Sequence, residues 1–467
     1  MTEQQFGVEG IGDLLRRVEE IPPSQNDDPL TLDALVERFA ALPAEPGSVV
    51  VISLPNSARL LRIFFAVSLA GHTPVMLAPS TPPSRVRDIC RHMGAYALIR
   101  TSIRPTDYGL SDTASIGGVD LAVFTDWQYQ RHGRGHVILM TSGTSGMATG
   151  CLHSVDSLLR NARRHAASVG QTEKDTVLVS LPVFYSFGLV AQVLGCLVSG
   201  ASMILAGPPF SVTNYVETIT RHSVTVSALT PIQVKSVVGV GEELPAPLRT
   251  LSVGGQALDP SYVSRLVKLN PELGLYLTYG LTEAGPRVST LAAHREHPDR
   301  YRSVGLPLDG VEVLTRESSE YGERELLVRS DTIYRKRVGE IPLSKRGELI
   351  EEGLLATGDM GYVDDDGYVY VSSRRSDFAM VRGEKVSLAT VRKAAESLPN
   401  VVRAAARVMA DDGNDDDFAR VGLDVYVNDL DVPTEAEVQR SLRALLTRNE
   451  RPGEVRIHPL RSGEFHK

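Results

Sequence analysis

Val137-Ile138-Leu139-Met140-Thr141-Ser142-Gly143-Thr144-Ser145-Gly146 is the stretch on which the reading of this chain turns. Four apolar residues predict a buried strand, and the run after them joins hydroxyls to glycines. Such a loop presents backbone N–H groups and side-chain hydroxyls together, and glycine lets it close around phosphates. No Gly-Lys-Ser/Thr follows, so it is not a Walker loop. Around it, strand-like runs alternate with helical patterns. Ser48–Ser53, Thr73–Leu77 and Ala95–Ile99 read as strands, separated by helices over Ala58–Ala70, closed by Gly71, and Ser84–His92. The alternation resumes at Thr176–Ser180, Ser202–Ala206, Val224–Leu229 and Leu248–Val253. It predicts an α/β fold with largely parallel, buried sheets.

The chain has 467 residues, of which 42% are hydrophobic and 23% charged. That suits a globular protein of more than one domain. A net charge of -8 argues against a nucleic-acid or anionic-membrane role. Three widely spaced cysteines (Cys90, Cys151, Cys196) predict no disulfide framework and a reducing setting. The first residues, MTEQQFGVEGIGDLL, do not read as a signal peptide, and the expected location is the cytoplasm. Leu189 to Gly207 carries no charge, but its interrupting glycines and serines predict a buried helix turning into a strand rather than a membrane span.

After Ser303 the pattern changes to short alternating runs, among them Val311–Leu314 and Glu325–Val328, which predict a small antiparallel sheet or β-barrel ending at Tyr368–Val371. Beyond Ser376, helices at Leu388–Ser397 and Glu435–Leu446 and strands at Ala404–Met409 and Leu423–Val427 predict a small α+β module. Asp411–Asp417 reads as a solvated acidic hairpin loop.

Five further segments fit the chemistry of the phosphate loop. Leu181-Pro182-Val183-Phe184-Tyr185-Ser186-Phe187-Gly188 is an aromatic turn suited to walling an apolar pocket. Ser252-Val253-Gly254-Gly255-Gln256-Ala257 ends a strand with paired glycines against which a flat ligand can lie. Thr278-Tyr279-Gly280-Leu281-Thr282-Glu283-Ala284 offers a ring, a hydroxyl and a carboxylate, and Glu283 suits Mg²⁺, which takes oxygen ligands. Thr357-Gly358-Asp359 reads as a tight turn whose carboxylate accepts hydrogen bonds from ribose. Ser373-Arg374-Arg375-Ser376-Asp377 places cationic donors at a domain junction.

In this order the motifs closely resemble the adenylate-forming superfamily of acyl- and aryl-CoA synthetases, amino-acid adenylation domains and luciferases. The resemblance covers nearly the whole chain, including Leu54-Pro55-Asn56-Ser57. It implies an ATP- and acid-binding domain over residues 1–372 and a mobile lid domain over 373–467, turning near Arg375–Asp377. It also implies attack of a carboxylate on the α-phosphate of ATP, forming an acyl-adenylate and pyrophosphate, then transfer to CoA, a carrier-protein phosphopantetheine thiol or another nucleophile. By position, Thr141, Ser142, Gly143, Thr144, Ser145 and Gly146 would hold the β- and γ-phosphates, Gly255, Gln256 and Tyr279 would flank adenine, and Gly280 would also lie in the ATP site. Thr282 would touch the α-phosphate, Glu283 would bind Mg²⁺, and Asp359 and Arg374 would hold ribose. The acid would meet Phe184, Tyr185, Phe187, Gly188, Gly254, Ala257, Thr278 and Ala284.

The chain departs from the family where lysines are usual. The phosphate loop ends Ala148-Thr149-Gly150 in place of Pro-Lys-Gly, and the terminal Gly-Lys-x-x-Arg reads Gly463-Glu464-Phe465-His466-Lys467. Losing one preorganised donor to a developing charge costs roughly 10²–10³ in rate, so slow adenylation is expected unless Lys467 or another cation substitutes. Tyr185 stands where amino-acid-activating members carry aspartate, which favours an aryl or medium acyl acid. The competing reading is a degenerate member that binds nucleotide or acyl-adenylate as a scaffold or regulator.

Overall fold

The computed structural model describes the chain outside residues 1–5, 23–29, 142–148, 208–209, 241–242, 318–323, 340–346, 375–377, 382–383, 410–419, 429–431 and 461–467. Two eight-stranded sheets carry the first two-thirds of the chain. In one, Val49–Ser53 lies parallel to Thr73–Met76 and to Ala95–Arg100, and His136–Met140 joins beside Thr73–Met76. Val49–Ser53 is buried at every position, as expected of a strand covered on both faces. The helix between the first two strands, Ala58–Leu69, begins at Ser57, whose hydroxyl accepts from the Leu60 N–H at 3.0 Å, and it ends at Gly71 with φ +89°.

In the other sheet Val18–Ile21, Ser202–Ala206, Thr176–Val179, Val226–Leu229, Thr250–Gly254 and Gly274–Gly280 lie side by side and parallel. Arg287–Ala292 then returns antiparallel to Gly274–Gly280. A single apolar cluster contains residues of both sheets, such as Ile52 and Val177, together with Leu60, Phe64 and Leu159 from the helices between them. At about 25 cal/mol per Å² of buried apolar surface, this is the term that holds the layers together.

The uncharged run reads as anticipated. It forms the fully buried π-helix Phe187–Leu194, the short helix Gly195–Ser199 and the strand Ser202–Ala206. Among the described residues no helix is long and apolar enough to cross a membrane. Cys90, Cys151 and Cys196 are buried free thiols.

The later antiparallel region is a five-stranded sheet built around Leu354–Val363, with Arg324–Ser330 and Glu348–Glu351 among its neighbours. One short strand leaves this region: Lys336–Gly339 adds to the edge of the first sheet against Thr149–Ser154. The last module is the sheet Val401–Met409, Arg420–Asn428 and Glu454–Leu460 with the helices Leu388–Glu396 and Glu435–Arg443. Val391, Leu423, Val425, Val438 and Leu442 form its own core. The acidic run Asp411–Asp417 and the junction Arg375–Asp377 lie outside the described residues.

Candidate active site

The strands Thr250–Gly254 and Gly274–Gly280 end side by side, and their carboxyl ends carry the expected motifs. Gly255 has φ +94°, and a side chain added there would meet nothing within 4 Å. Gly255, Gln256 and Ala257 therefore form an exposed turn that a planar ligand can approach closely. Tyr279 is buried, and its hydroxyl donates to Asp359 Oδ2 at 2.7 Å. Asp359 does not sit on a tight turn, as the Thr-Gly-Asp pattern suggested. It lies inside the ten-residue strand Leu354–Val363, where Gly358 adopts φ +74°. The Gly358 N–H donates to Glu325 Oε1 and the Asp359 N–H to Thr357 Oγ1, both at 3.0 Å. Those neighbours let the strand distort in place instead of ending. Arg374 pairs in register with Asp359 on the strand Val369–Arg374, so the two expected ribose residues are backbone neighbours.

Beyond Gly280 the chain makes the 3₁₀ turn Thr282–Ala284. The Thr282 hydroxyl is 3.1 Å from Ser186 Oγ of the aromatic turn, so the nucleotide and acid motifs meet there. His153 reaches the Thr282 carbonyl at 3.0 Å, and burial pulls its pKa down to about 4, leaving it neutral. The Glu283 carboxylate is buried, with Arg337 Nη2 3.5 Å from its Oε1. A lone carboxylate suits Mg²⁺, which binds through one or two carboxylates together with substrate phosphates. Among the described residues no larger cluster of potential metal ligands occurs.

On the acid side the structure sorts the expected residues. Phe187, Thr278 and Gly254 come together: a Cβ built on Gly254 would lie 2.5 Å from Thr278 Oγ1 and 2.9 Å from Phe187. Tyr185 stands apart from them, 44% exposed, with Arg85, Glu384 and Glu450 as its charged neighbours. Its ring is 4.6 Å from that of Phe184, which packs against the main core. At this rim Arg85 Nη1 donates to both carboxylate oxygens of Glu450, at 2.8 and 2.6 Å, joining the helix Pro83–His92 to the last module. Two expected acid contacts have close protein neighbours. Gly188 backs onto the Pro182 carbonyl, and Ala284 packs with Leu281 and Val288 in a separate core. Gly280 likewise backs onto the Pro286 carbonyl, because the antiparallel return leaves no room on that side.

Thr141 closes its own hairpin, its N–H and hydroxyl both 3.1 Å from the Thr149 carbonyl. Thr149, at the usual lysine position, is 1% exposed within the strand Thr149–Ser154. Ser142, Gly143, Thr144, Ser145, Gly146, Glu464 and Lys467 lie outside the described residues. A basic cavity of about 620 Å³, lined by Arg131, His132, His136 and Lys336, contains none of the expected residues.

Sequence reasoning missed three supporting side chains. Asn56 donates from Nδ2 to the Leu181 carbonyl and accepts from the Val183 N–H, both at 2.9 Å, pinning the aromatic turn. Asn161 makes the same two-way clasp on the backbone of Arg287, again at 2.9 Å on each side. Arg337 is the third. Only Asn56 had a signal, its place in Leu54-Pro55-Asn56-Ser57.

A parallel sheet whose strand ends carry an open glycine turn, a Thr-Glu pair and a buried Tyr–Asp contact defines a nucleotide-binding α/β enzyme. The chain belongs to the AMP-binding enzyme family, whose profile matches residues 31–335. A 2-succinylbenzoate–CoA ligase of Bacillus subtilis is 24% identical over 380 residues, 79% of this chain and 76% of that protein. Matches to several other ligases of that name span only 54–60% of their length. The o-succinylbenzoate–CoA synthetase of Bacillus subtilis, a double mutant bound to a product analogue, superposes with a TM-score of 0.77 at 21% identity, covering 96% of this chain and 94% of that one. That synthetase is also known in complex with ATP and a magnesium ion (TM-score 0.61, 21% identity, covering 91% and 90%). An amide bond synthetase of Marinactinospora thermotolerans has the same fold, with a TM-score of 0.74 at 22% identity and coverage of 96% and 95%.

Proposed function

We propose that this enzyme uses ATP to activate an aryl or medium acyl carboxylic acid as its adenylate, then passes the acyl group to CoA, a carrier-protein thiol or another nucleophile. The observation that carries this reading is the contact between Ser186 and Thr282, which brings the aromatic turn to the Thr-Glu motif.

The acid lies against Phe187, Thr278 and Gly254, with Phe184 and Tyr185 at the rim and its carboxylate toward Thr282. Gly255, Gln256 and Tyr279 flank adenine, and Asp359 with Arg374 takes the ribose hydroxyls. Thr141 to Gly146 cradles the outer phosphates, and the Thr282 hydroxyl donates to the α-phosphate as charge builds there. Mg²⁺, when bound, offsets phosphate charge and aligns the leaving group. Glu283 would hold it, sharing its carboxylate with Arg337. Residues 1–372 act as the ATP- and acid-binding domain and 373–467 as the lid, with Lys467 the cation nearest the usual lysine in sequence. The buried Thr149 and the absent lysines favour one second reading, a member that binds adenylates without forming them.

Mass spectrometry on the purified chain with ATP, Mg²⁺ and a panel of aryl and acyl acids, paired with pyrophosphate release, separates the two. An adenylate from one acid supports the ligase, and Glu464→Lys then raises its rate. Nucleotide binding with no adenylate and no pyrophosphate from any acid, in either form, sinks the catalytic reading.

A further inference from the structure

The basic cavity of about 620 Å³ lies in the first sheet at the end away from Thr141. His136 opens the strand His136–Met140 that leads into Thr141, and at about 3.3 Å per residue the two stand roughly 16 Å apart. Ser154, the last residue of the neighbouring strand Thr149–Ser154, stands opposite His136 in register. Lys336, on the short strand lent by the later region, stands opposite Leu152. The Arg335 N–H donates to the Leu152 carbonyl at 2.8 Å, so the lent strand enters the sheet at the cavity wall. Pro46 and residues 131–133 complete the lining.

Its charges are of one sign. Arg131, Arg335 and Lys336 all line it and all are exposed, so it opens to solvent past its cations. Glu45 pairs with Arg131, and among the described residues no carboxylate pairs with Arg335 or Lys336. At the floor His132 is 7% exposed, and neither of its ring nitrogens has a hydrogen-bond partner. The segment is held in place: the His132 N–H donates to the Gly47 carbonyl at 2.8 Å, and Gly47, with φ +85°, lies too close to the His132 carbonyl for any side chain. Burial first, then the charges of Lys336 and His136, lower the His132 pKa to about 4, so its ring is neutral and keeps one N–H to donate. The Gly133 carbonyl takes the Nδ1–H of His136 at 2.6 Å, so His132 is the histidine here with both nitrogens uncommitted. A buried donor without a partner costs stability unless a ligand takes it.

We propose that this cavity binds a small phosphomonoester, at a site separate from the one for ATP and the acid. Two cations without an anion match a phosphate group, which carries about −1.5 to −2 at neutral pH and offers three acceptor oxygens. Arg335 and Lys336 supply charge-assisted donors from the rim, and His132 supplies an N–H from the floor. The volume decides between a bare ion and an ester. At about 620 Å³ the cavity is of the size usual for small-molecule sites, about 300–1,000 Å³, and Pro46 with Leu152 gives an organic group an apolar wall. The site uses none of the residues assigned to ATP or the acid, so it stands whether or not the chain forms adenylates.

Calorimetry on the full chain tests this with phenyl phosphate, glycerol 3-phosphate, inorganic phosphate and, as a dianion of another shape, succinate. At least one ester should bind about tenfold more tightly than inorganic phosphate or succinate at about 0.15 M salt. Arg335→Met and Lys336→Met should each weaken that ester about tenfold, and together about 10²-fold, as charge-assisted donors do. Both side chains are exposed, so the core is undisturbed, and the double variant should bind ATP with Mg²⁺ as the wild-type chain does. Succinate bound as tightly as the esters would show a basic surface without a built site and overturns the proposal. Absence of ester binding, or ester binding unchanged in the double variant, overturns it equally. If the double variant loses ATP as well, Lys336→Gln alone decides: weaker ester binding with ATP retained supports the site, and any other result overturns it.

Discussion

Where we propose that the acid binds, Arg287, Thr278 and Gly254 are buried, with Asn161 holding the Arg287 backbone; where we propose that the nucleotide binds, Gly255, Gln256 and Ala257 are exposed on an open turn. The acid side is closely packed, so small differences in ligand shape or charge meet groups that cannot move away. The nucleotide side offers backbone and room, which suits a ligand common to the whole family. The Thr282–Ala284 turn meets the aromatic turn through Ser186, with His153 beneath it. The proposed acid contacts are therefore largely core residues, whereas the proposed nucleotide contacts divide between the exposed glycine turn and the buried Tyr279–Asp359 pair.

The strongest way to break this contrast is acid. His153 and His165 lie under the acid side with pKa values of about 4 and about 3, and His132 stands elsewhere at about 4, all lowered first by burial. Each binds a proton in the unfolded chain near pH 6.5 but not in the folded one, so the unfolded state takes up more protons between pH 6.5 and 4. Stability then falls as pH drops through that window, by roughly 2 kcal/mol per histidine at pH 5. Urea unfolding at pH 7.5 and pH 5 measures this, and a midpoint that stays level would contradict neutral burial of these rings. His165→Leu should flatten the slope.

Next in size is the Glu283–Arg337 pair. Arg337→Met leaves a buried carboxylate without its cation and should cost about 3–5 kcal/mol. Adding Glu283→Gln should return much of that stability while lowering the affinity for Mg²⁺. Full destabilisation persisting in the double variant would show that Arg337 acts through other contacts. Thr282→Val tests the meeting point. Adenylation should fall about 10²-fold with thermal stability little changed, because one donor to developing charge is lost. An unaltered rate would remove Thr282 from the chemistry. The smallest effect belongs to the rim. Asn56→Ala strands the Leu181 carbonyl and the Val183 N–H, costing about 2 kcal/mol, and loosens the turn that carries Phe187. KM for the acid should rise more than KM for ATP, and an equal rise in both would place Asn56 outside acid binding.

Much of the architecture was legible in the chain. Val49–Ser53 and Ser202–Ala206 are apolar throughout because both faces are covered, and such runs stand out without knowledge of their neighbours. The glycine turn at Gly255 and the Tyr-Gly-Leu-Thr-Glu strand end were legible for the same local reason. The Thr-Gly-Asp segment misled because glycine before aspartate usually signals a turn. Here Glu325 and Thr357 supply the hydrogen bonds that keep the strand running. Gly188, Gly280 and Ala284 were expected at the ligands because they sit within the motifs; a Cβ on either glycine would meet backbone, and Ala284 packs in a core. Nothing local could reveal that.

By itself the sequence determined the order of strands and helices, the family and the chemical types gathered at the strand ends, since periodicity and turn chemistry act over a few residues. The tertiary structure alone decided which distant groups meet. Tyr279 finds Asp359 eighty positions away, and Glu283 finds Arg337 on a strand lent to another sheet. Arg287 looks like any surface arginine until the antiparallel return beside Gly280 turns it inward onto Phe187. The reason is physical: a buried charge is governed by the groups that surround it, and sheet order, not chain proximity, chooses those groups.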